Sequence, residues 1–194
     1  MTSPPARRRL DAETRRETIL HAAVTAFSHA PYEQVSIASI AADAGASEAL
    51  VHRYFDGKAG LFAEALSVAL NGLLDAQAEA VRRLPAGHSP RDRVRAVLEL
   101  YLDFVADAPP GWAAPLASRP DALADYAEKL GSLLGVQEDL TRHAYAVHGA
   151  LGFADAACQE WANRGRPAAE RGSLVDAALG ALEGALGDWG SLRL

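Results

Sequence analysis

The stretch that most constrains the fold runs from Val35 to Leu61, VSIASIAADAGASEALVHRYFDGKAGL. Ile37, Ile40, Ala41 and Ala44 recur at i, i+3, i+4 and i+7, the apolar stripe of a short helix. Gly45 follows the last periodic residue, where a left-handed backbone costs least without a β-carbon. Ser47 can then cap a second helix by accepting a hydrogen bond from its unpaired N–H groups. Val51 and Phe55, four apart, give that helix an inward face. Helix, glycine turn and helix make a helix-turn-helix, a unit whose second helix enters the DNA major groove.

The rest of the 194-residue chain is consistent with an all-α protein. Alanine and leucine dominate, and no long alternating run points to a strand. Cys158, the single cysteine, cannot close an internal disulfide, which fits a reducing, cytoplasmic setting. No run of about 18 uninterrupted apolar residues is present, so no membrane span is expected. The opening MTSPPARRRL has no apolar core behind its arginines and does not read as a secretory signal.

The net charge of −6 argues against nucleic acid only until the chain is divided. Residues 1–60 carry seven Lys or Arg against seven Asp or Glu, while residues 61–194 carry 12 against 18. All the excess acid lies in the second part, and phosphate affinity depends on local basic groups.

In chain order, residues 1–9 read as an arm, either a solubilising tail or a segment reaching phosphates through Arg7, Arg8 and Arg9. Helix 1 is expected from about residue 11 to 30, with Ile19, Leu20, Ala23 and Phe27 inward and Arg15 and Arg16 outward. Pro31 stops it. Helices follow at about 36–44, 47–55 and 58–84. Ser89 before Pro90 opens the next, which runs to about 107. Residues 109–120, PPGWAAPLASRP, allow only a short helical turn near residues 112–117. Helices at about 121–134, 136–163 and 168–186 complete the expectation.

The run IAADAGASEALVHRYFDGKAGL resembles the N-terminal signature of the TetR family of bacterial transcriptional repressors. Ile40, Ala41, Ala44, Gly45, Ser47, Tyr54, Phe55, Lys58 and Leu61 fall on the pattern, which covers roughly the first third of the chain. The resemblance implies an N-terminal DNA-binding domain over residues 1–57 and a helical ligand-binding and dimerisation domain over 58–194. The implied activity is that of a homodimeric repressor, bound to a double-stranded, inverted-repeat DNA operator and released by a small-molecule inducer. The alternative is a helical small-molecule-binding protein without sequence-specific DNA binding.

Candidate DNA contacts follow. Ser36 and Ser47 stand at helix N-termini, where hydroxyls and N–H groups suit phosphate oxygens. Tyr54 and Lys58 match family positions that hold the backbone. Base readers must come from Glu48, Ala49, Leu50, His52 and Arg53; Arg53 can pair bidentately with guanine and Leu50 can meet a thymine methyl. His52 departs from the family, where tyrosine is usual, and Ala38 is too short to reach a base from helix 2. Operator sequence therefore does not transfer from relatives.

In the second domain the candidate ligand contacts are Tyr101, Phe104, Trp112, Tyr126, His143 and Tyr145. The resemblance places dimerisation on the last two helices. Their apolar stripes, Val147, Ala150, Leu151, Ala154, Cys158 and Trp161 on one and Val175, Leu179 and Leu182 on the other, are the candidate interface. Gly180 and Gly184 join them, since interior glycines cost about 1 kcal/mol each and need a reason such as close helix approach. An enzyme is disfavoured: His143 and His148 are five apart, off the spacing of a metal pair, and no nucleophile elbow, phosphate loop or dinucleotide fingerprint occurs. No catalytic residue, metal or cofactor is expected.

Overall fold

Helix ends in this chain fall where glycine, proline or a capping hydroxyl interrupts an apolar stripe. A computed structural model describes residues 5–107, 120–135 and 141–187. They form eight α-helices and no strand: α1 Pro5–His29, α2 Ile37–Asp43, α3 Glu48–Tyr54, α4 Gly57–Arg82, α5 Pro90–Asp107, α6 Pro120–Leu134, α7 Thr141–Asn163 and α8 Arg171–Leu186. Single 3-10 turns at Tyr32–Gln34 and Ala168–Glu170 precede α2 and α8. The chain is all-α, with a helix-turn-helix at its N-terminal end and a helical C-terminal part.

One expectation at a helix start is corrected, and a second falls partly outside the described residues. The arm expected over residues 1–9 is helical from Pro5. Proline fits the first turn, where its missing N–H is not needed, and the following alanine, arginines and leucine favour helix. The helix expected from 136 is α7, described from Thr141; residues 136–140, like the proline-rich segment around Trp112, lie outside the described residues.

Two compact units make up the chain, the first ending at Ala69 and the second beginning at Leu70. The boundary expected between residues 57 and 58 lies in the first turn of α4, a helix whose residues are divided between the two units. In the first unit, Ile19, Ala23 and Phe27 of α1 are buried with Ile40, Ala41, Val51, Phe55, Leu61 and Phe62. These are the inward positions anticipated from spacing. Phe27 and Phe62 meet edge to face at 4.8 Å between ring centroids, a favoured aromatic arrangement.

Among the described residues, α4 is the one helix long and apolar enough to cross a membrane. Part of its apolar surface is packed: Leu61, Phe62, Ala65 and Leu66 are buried in the first unit and Leu70 and Leu73 in the second, while Val68 is exposed.

The second unit packs α5, α6, α7 and α8, with α7 against α8 as its largest helix pair. Here the proposed interface stripe is corrected. Val147, Leu151, Ala154, Cys158, Trp161, Val175, Leu179 and Leu182 are all buried within the single chain, none more than 7% exposed. A side chain enclosed by its own subunit has no surface left for a partner. Ala150 is half-buried, and only Gly180 and Gly184 of that set are exposed.

Candidate nucleic-acid interface

The helix-turn-helix is built by local chemistry. Ser36 caps α2: its hydroxyl accepts the Ser39 N–H at 3.0 Å, and the Ser39 side chain accepts from the Ser36 backbone in return. Gly45 closes α2 with φ of 61°, the left-handed conformation its position demanded. Ser47 caps α3 by accepting the Leu50 N–H at 3.2 Å. The α3 carbonyls end at Phe55, whose N–H donates to Val51, and Gly57, with φ of 65°, turns the chain into α4.

This frame buries Val51 completely and turns Glu48, Ala49, His52 and Arg53 to solvent. The four form one outward face of α3, with the exposed Ser47 at its N-terminus. Ser36 is also exposed, at the N-terminus of α2. Leu50, expected on the wet face, is half-buried, so less of it is free to meet a methyl group.

Tyr54 is half-buried beneath Arg53, whose guanidinium carbon lies 5.6 Å from the ring centroid. The pair combines a planar cation with a phenol at the C-terminal end of α3. Lys58 lies in the first turn of α4, half-buried, with Nζ 4.2 Å from the centre of the Tyr32 ring. The DNA candidates are thus the N-caps of α2 and α3, the α3 residues themselves and Lys58 in the first turn of α4.

Two residues packed beside these candidates were not among them. Tyr32 carries Lys58. Arg16, expected to point outward, instead pairs with Glu64 of α4 and lies over the Phe55 ring at 4.9 Å. Helical periodicity shows that a residue is off the core stripe, but not that its long stem folds back across the core edge.

The proposed ligand residues are less unified. Tyr101 donates a hydrogen bond to Asp155 at 3.2 Å, and Gln159 donates to the other carboxylate oxygen at 2.9 Å. Burial pushes the Asp155 carboxyl up despite those hydrogen bonds, and the Tyr101 phenol goes well above its usual range for the same reason. Tyr126 donates to the fully buried Gln77 at 3.0 Å, and Gln77 donates to the Val97 carbonyl at 3.0 Å. Burial pushes the Tyr126 phenol up to about 12. His143 is buried, Phe104 half-buried, and Tyr145 is 75% exposed on α7.

None of these residues lines the apolar cavity of about 30 Å³ in the second unit. Its walls come from α5, α6, α7 and α8 and include Val94, Leu98, Leu130, Leu134, Val147 and Leu182. The cavity is about the size of one water, far below the several hundred Å³ of a typical ligand pocket. Among the described residues, no group of three His, Cys, Asp or Glu side chains could hold a metal ion.

Comparison with known proteins bears on this geometry directly. Residues 19–65, from α1 through the first turns of α4, match the family described as bacterial regulatory proteins, tetR family. A tetR-family transcriptional regulator from Streptomyces coelicolor is 26% identical with a TM-score of 0.69, the alignment covering 90% of this chain and 81% of that one. A TetR transcriptional regulator from Rhodococcus sp. RHA1 shares the fold at 20% identity and a TM-score of 0.68, covering 90% and 96%. The transcriptional regulator FadR from Bacillus subtilis, solved in complex with stearoyl-CoA, shares it at 16% identity and a TM-score of 0.61, covering 85% and 98%. No curated protein matches the chain. With a capped helix-turn-helix in place, residues 19–65 match the tetR family of bacterial regulatory proteins, and the chain is similar in fold to solved members of that family.

Proposed function

We propose that this protein is a cytoplasmic transcriptional repressor that binds an inverted-repeat operator as a homodimer and releases it when a small molecule enters the second unit. The observation that carries the reading is the outward face of α3. Glu48, Ala49, His52 and Arg53 stand free of the core on a helix anchored by Val51, with Ser47 and Lys58 flanking it. Such a face offers base readers in the middle and phosphate contacts at its ends.

Dimerisation is assigned to the outer faces of α7 and α8. Gly149, Gly152 and Phe153 on α7 and Ala177, Gly180 and Gly184 on α8 are exposed, and Tyr145 projects beside them. A β-carbon added at any of the four glycines meets nothing within 4 Å in the single chain. That absence of steric need inside the subunit leaves close approach of a second helix as the reason for glycine there.

The inducer is assigned to the apolar cavity, which must widen to admit it. Its lining favours an apolar ligand body, and the related FadR fold carries stearoyl-CoA in its complex. Widening displaces side chains of α5, α6, α7 and α8, and α4 contributes residues to both units. Two heads on half-sites about 34–36 Å apart lose specific binding after a modest change in spacing.

Selection of bound fragments from a genomic library by the purified protein tests the reading. Recovery of fragments sharing an inverted repeat supports it. Recovery of random fragments alone contradicts it and favours the helical binding protein without sequence-specific recognition.

A further inference from the structure

We propose that Tyr32 is a positioning residue for DNA binding, its ring holding the Lys58 ammonium in place with its charge uncancelled. The inference rests on the reading of Lys58 as a phosphate contact.

Tyr32 follows Pro31, the residue that ends the chain's run out of α1, and opens the 3-10 turn Tyr32–Gln34. Its ring lies nearly parallel to Phe27, 6.0 Å between centroids at 13°, and meets Phe62 edge-on at 5.1 Å. Both phenylalanines are buried, so the core fixes the ring while Tyr32 itself remains half-exposed. Lys58 and Phe62 are one turn apart on α4, and side chains at that spacing share a face. The ring therefore spans both, and the Lys58 Nζ comes to 4.2 Å from its centroid, well inside cation–π reach.

Two further facts give this contact its meaning. Lysine in a helix's first turn opposes the macrodipole, so helix stability does not explain Lys58. Among the described residues Lys58 is also in no ion pair, in contrast to Arg16, whose charge is answered by Glu64. A carboxylate partner would order the ammonium but neutralise its field. A neutral ring orders it and leaves the full positive charge for a phosphate. Ordering the four-carbon stem before DNA arrives reduces what binding must later spend on it.

The test uses the full-length protein and a fluorescein-labelled mixed-sequence duplex of about 30 base pairs at low salt, where phosphate contacts dominate. Tyr32→Phe keeps the ring and is expected to bind as the wild type. Tyr32→Leu is expected to weaken binding about two- to fivefold, the factor equivalent to an exposed cation–π contact. In a Lys58→Ala background the same substitution should add no further loss. Losses that multiply, or Tyr32→Leu binding unchanged while Lys58→Ala is weakened, would overturn the proposal. Unchanged binding by Lys58→Ala itself would overturn it by removing the phosphate contact on which it rests, and is distinguished by that single variant. Proton NMR supplies a readout that folding defects do not mimic: the Lys58 ε-methylene should be shifted upfield by the ring in wild type and Tyr32→Phe. An unshifted methylene in the folded wild type would also contradict the proposal.

Discussion

Arg16 on α1 and Glu64 on α4 form an ion pair, and the same guanidinium lies over the Phe55 ring, 4.9 Å from its centroid. One side chain thus joins α1, the end of α3 and the first part of α4 at the rim of the first core. Both partners are more than a third exposed, 39% and 38%, so solvent screens much of the attraction. Arg16→Ala should cost about 1 kcal/mol, mostly through the ring contact and the packed stem. A double-mutant cycle with Glu64→Gln, followed by thermal loss of helical circular dichroism, should give a coupling of about 0.2–1 kcal/mol. No coupling at all would mean that the pair contributes nothing.

Arg53 and Lys58 should fail differently when removed. Lys58→Ala should weaken binding to every duplex and lower the salt slope by about one. Arg53→Ala should relax preference at one operator position, costing about 1–3 kcal/mol if the arginine pairs with guanine. Anisotropy titrations on selected and scrambled DNA at several salt concentrations separate the two. Equal loss from Arg53→Ala on both duplexes would make this arginine a phosphate contact.

Asp155 gives the second unit a definite pH dependence. Its folded carboxyl titrates above its ordinary 3.8 because burial penalises the charge. The folded state therefore binds the proton more tightly than the unfolded state. Its contribution to stability is greatest below 3.8, declines as pH rises to the raised folded value, and is constant above both. Asp155→Asn keeps an acceptor for Tyr101 and removes the charge, so it should raise the melting temperature at pH 7 and flatten stability across that window. A lower melting temperature at pH 7 would show that the charged hydrogen bonds outweigh the burial cost.

Gly184→Leu should produce monomers in sedimentation while keeping helical circular dichroism. The single chain has open space at that position, so the substitution meets no internal clash. Retention of a dimer with normal DNA affinity would move the interface to another surface.

Cys158 should be inert in the native protein. It is buried, and burial pushes its thiol up to about 12, so almost no thiolate exists at pH 8. A disulfide reagent should modify it only after unfolding; rapid reaction in native buffer would contradict its placement.

The parts of this molecule set by neighbouring residues were legible in the sequence. Ser47 caps α3, Gly45 takes the left-handed turn, and Val51 and Phe55 face inward, because each depends on groups within a few positions. The Tyr32–Lys58 and Arg16–Glu64 contacts were not legible, since only the packing of α1 against later helices brings them together. The burial of the proposed dimer stripe within the single chain was not legible for a different reason. α7 and α8 are rich in alanine and glycine around their whole circumference, so apolar spacing picks out a face without saying whether its own subunit or another covers it. Leu179, at 0% exposure, belongs to the subunit's own core, whereas Gly180 beside it is exposed. The pocket residues were chosen for being aromatic or polar, while the observed cavity is walled by aliphatic side chains.

On the proposed function, the outward face of α3 reads DNA sequence. The most direct measurement of this is the ratio of affinities for a selected genomic fragment and a scrambled duplex of equal length, at one fixed salt concentration. The wild type should prefer the fragment by about a thousandfold or more, and His52→Ala combined with Arg53→Ala should abolish most of that ratio while leaving affinity for the scrambled duplex within about tenfold. A wild-type ratio near one, or a ratio that survives the double substitution, would contradict the account.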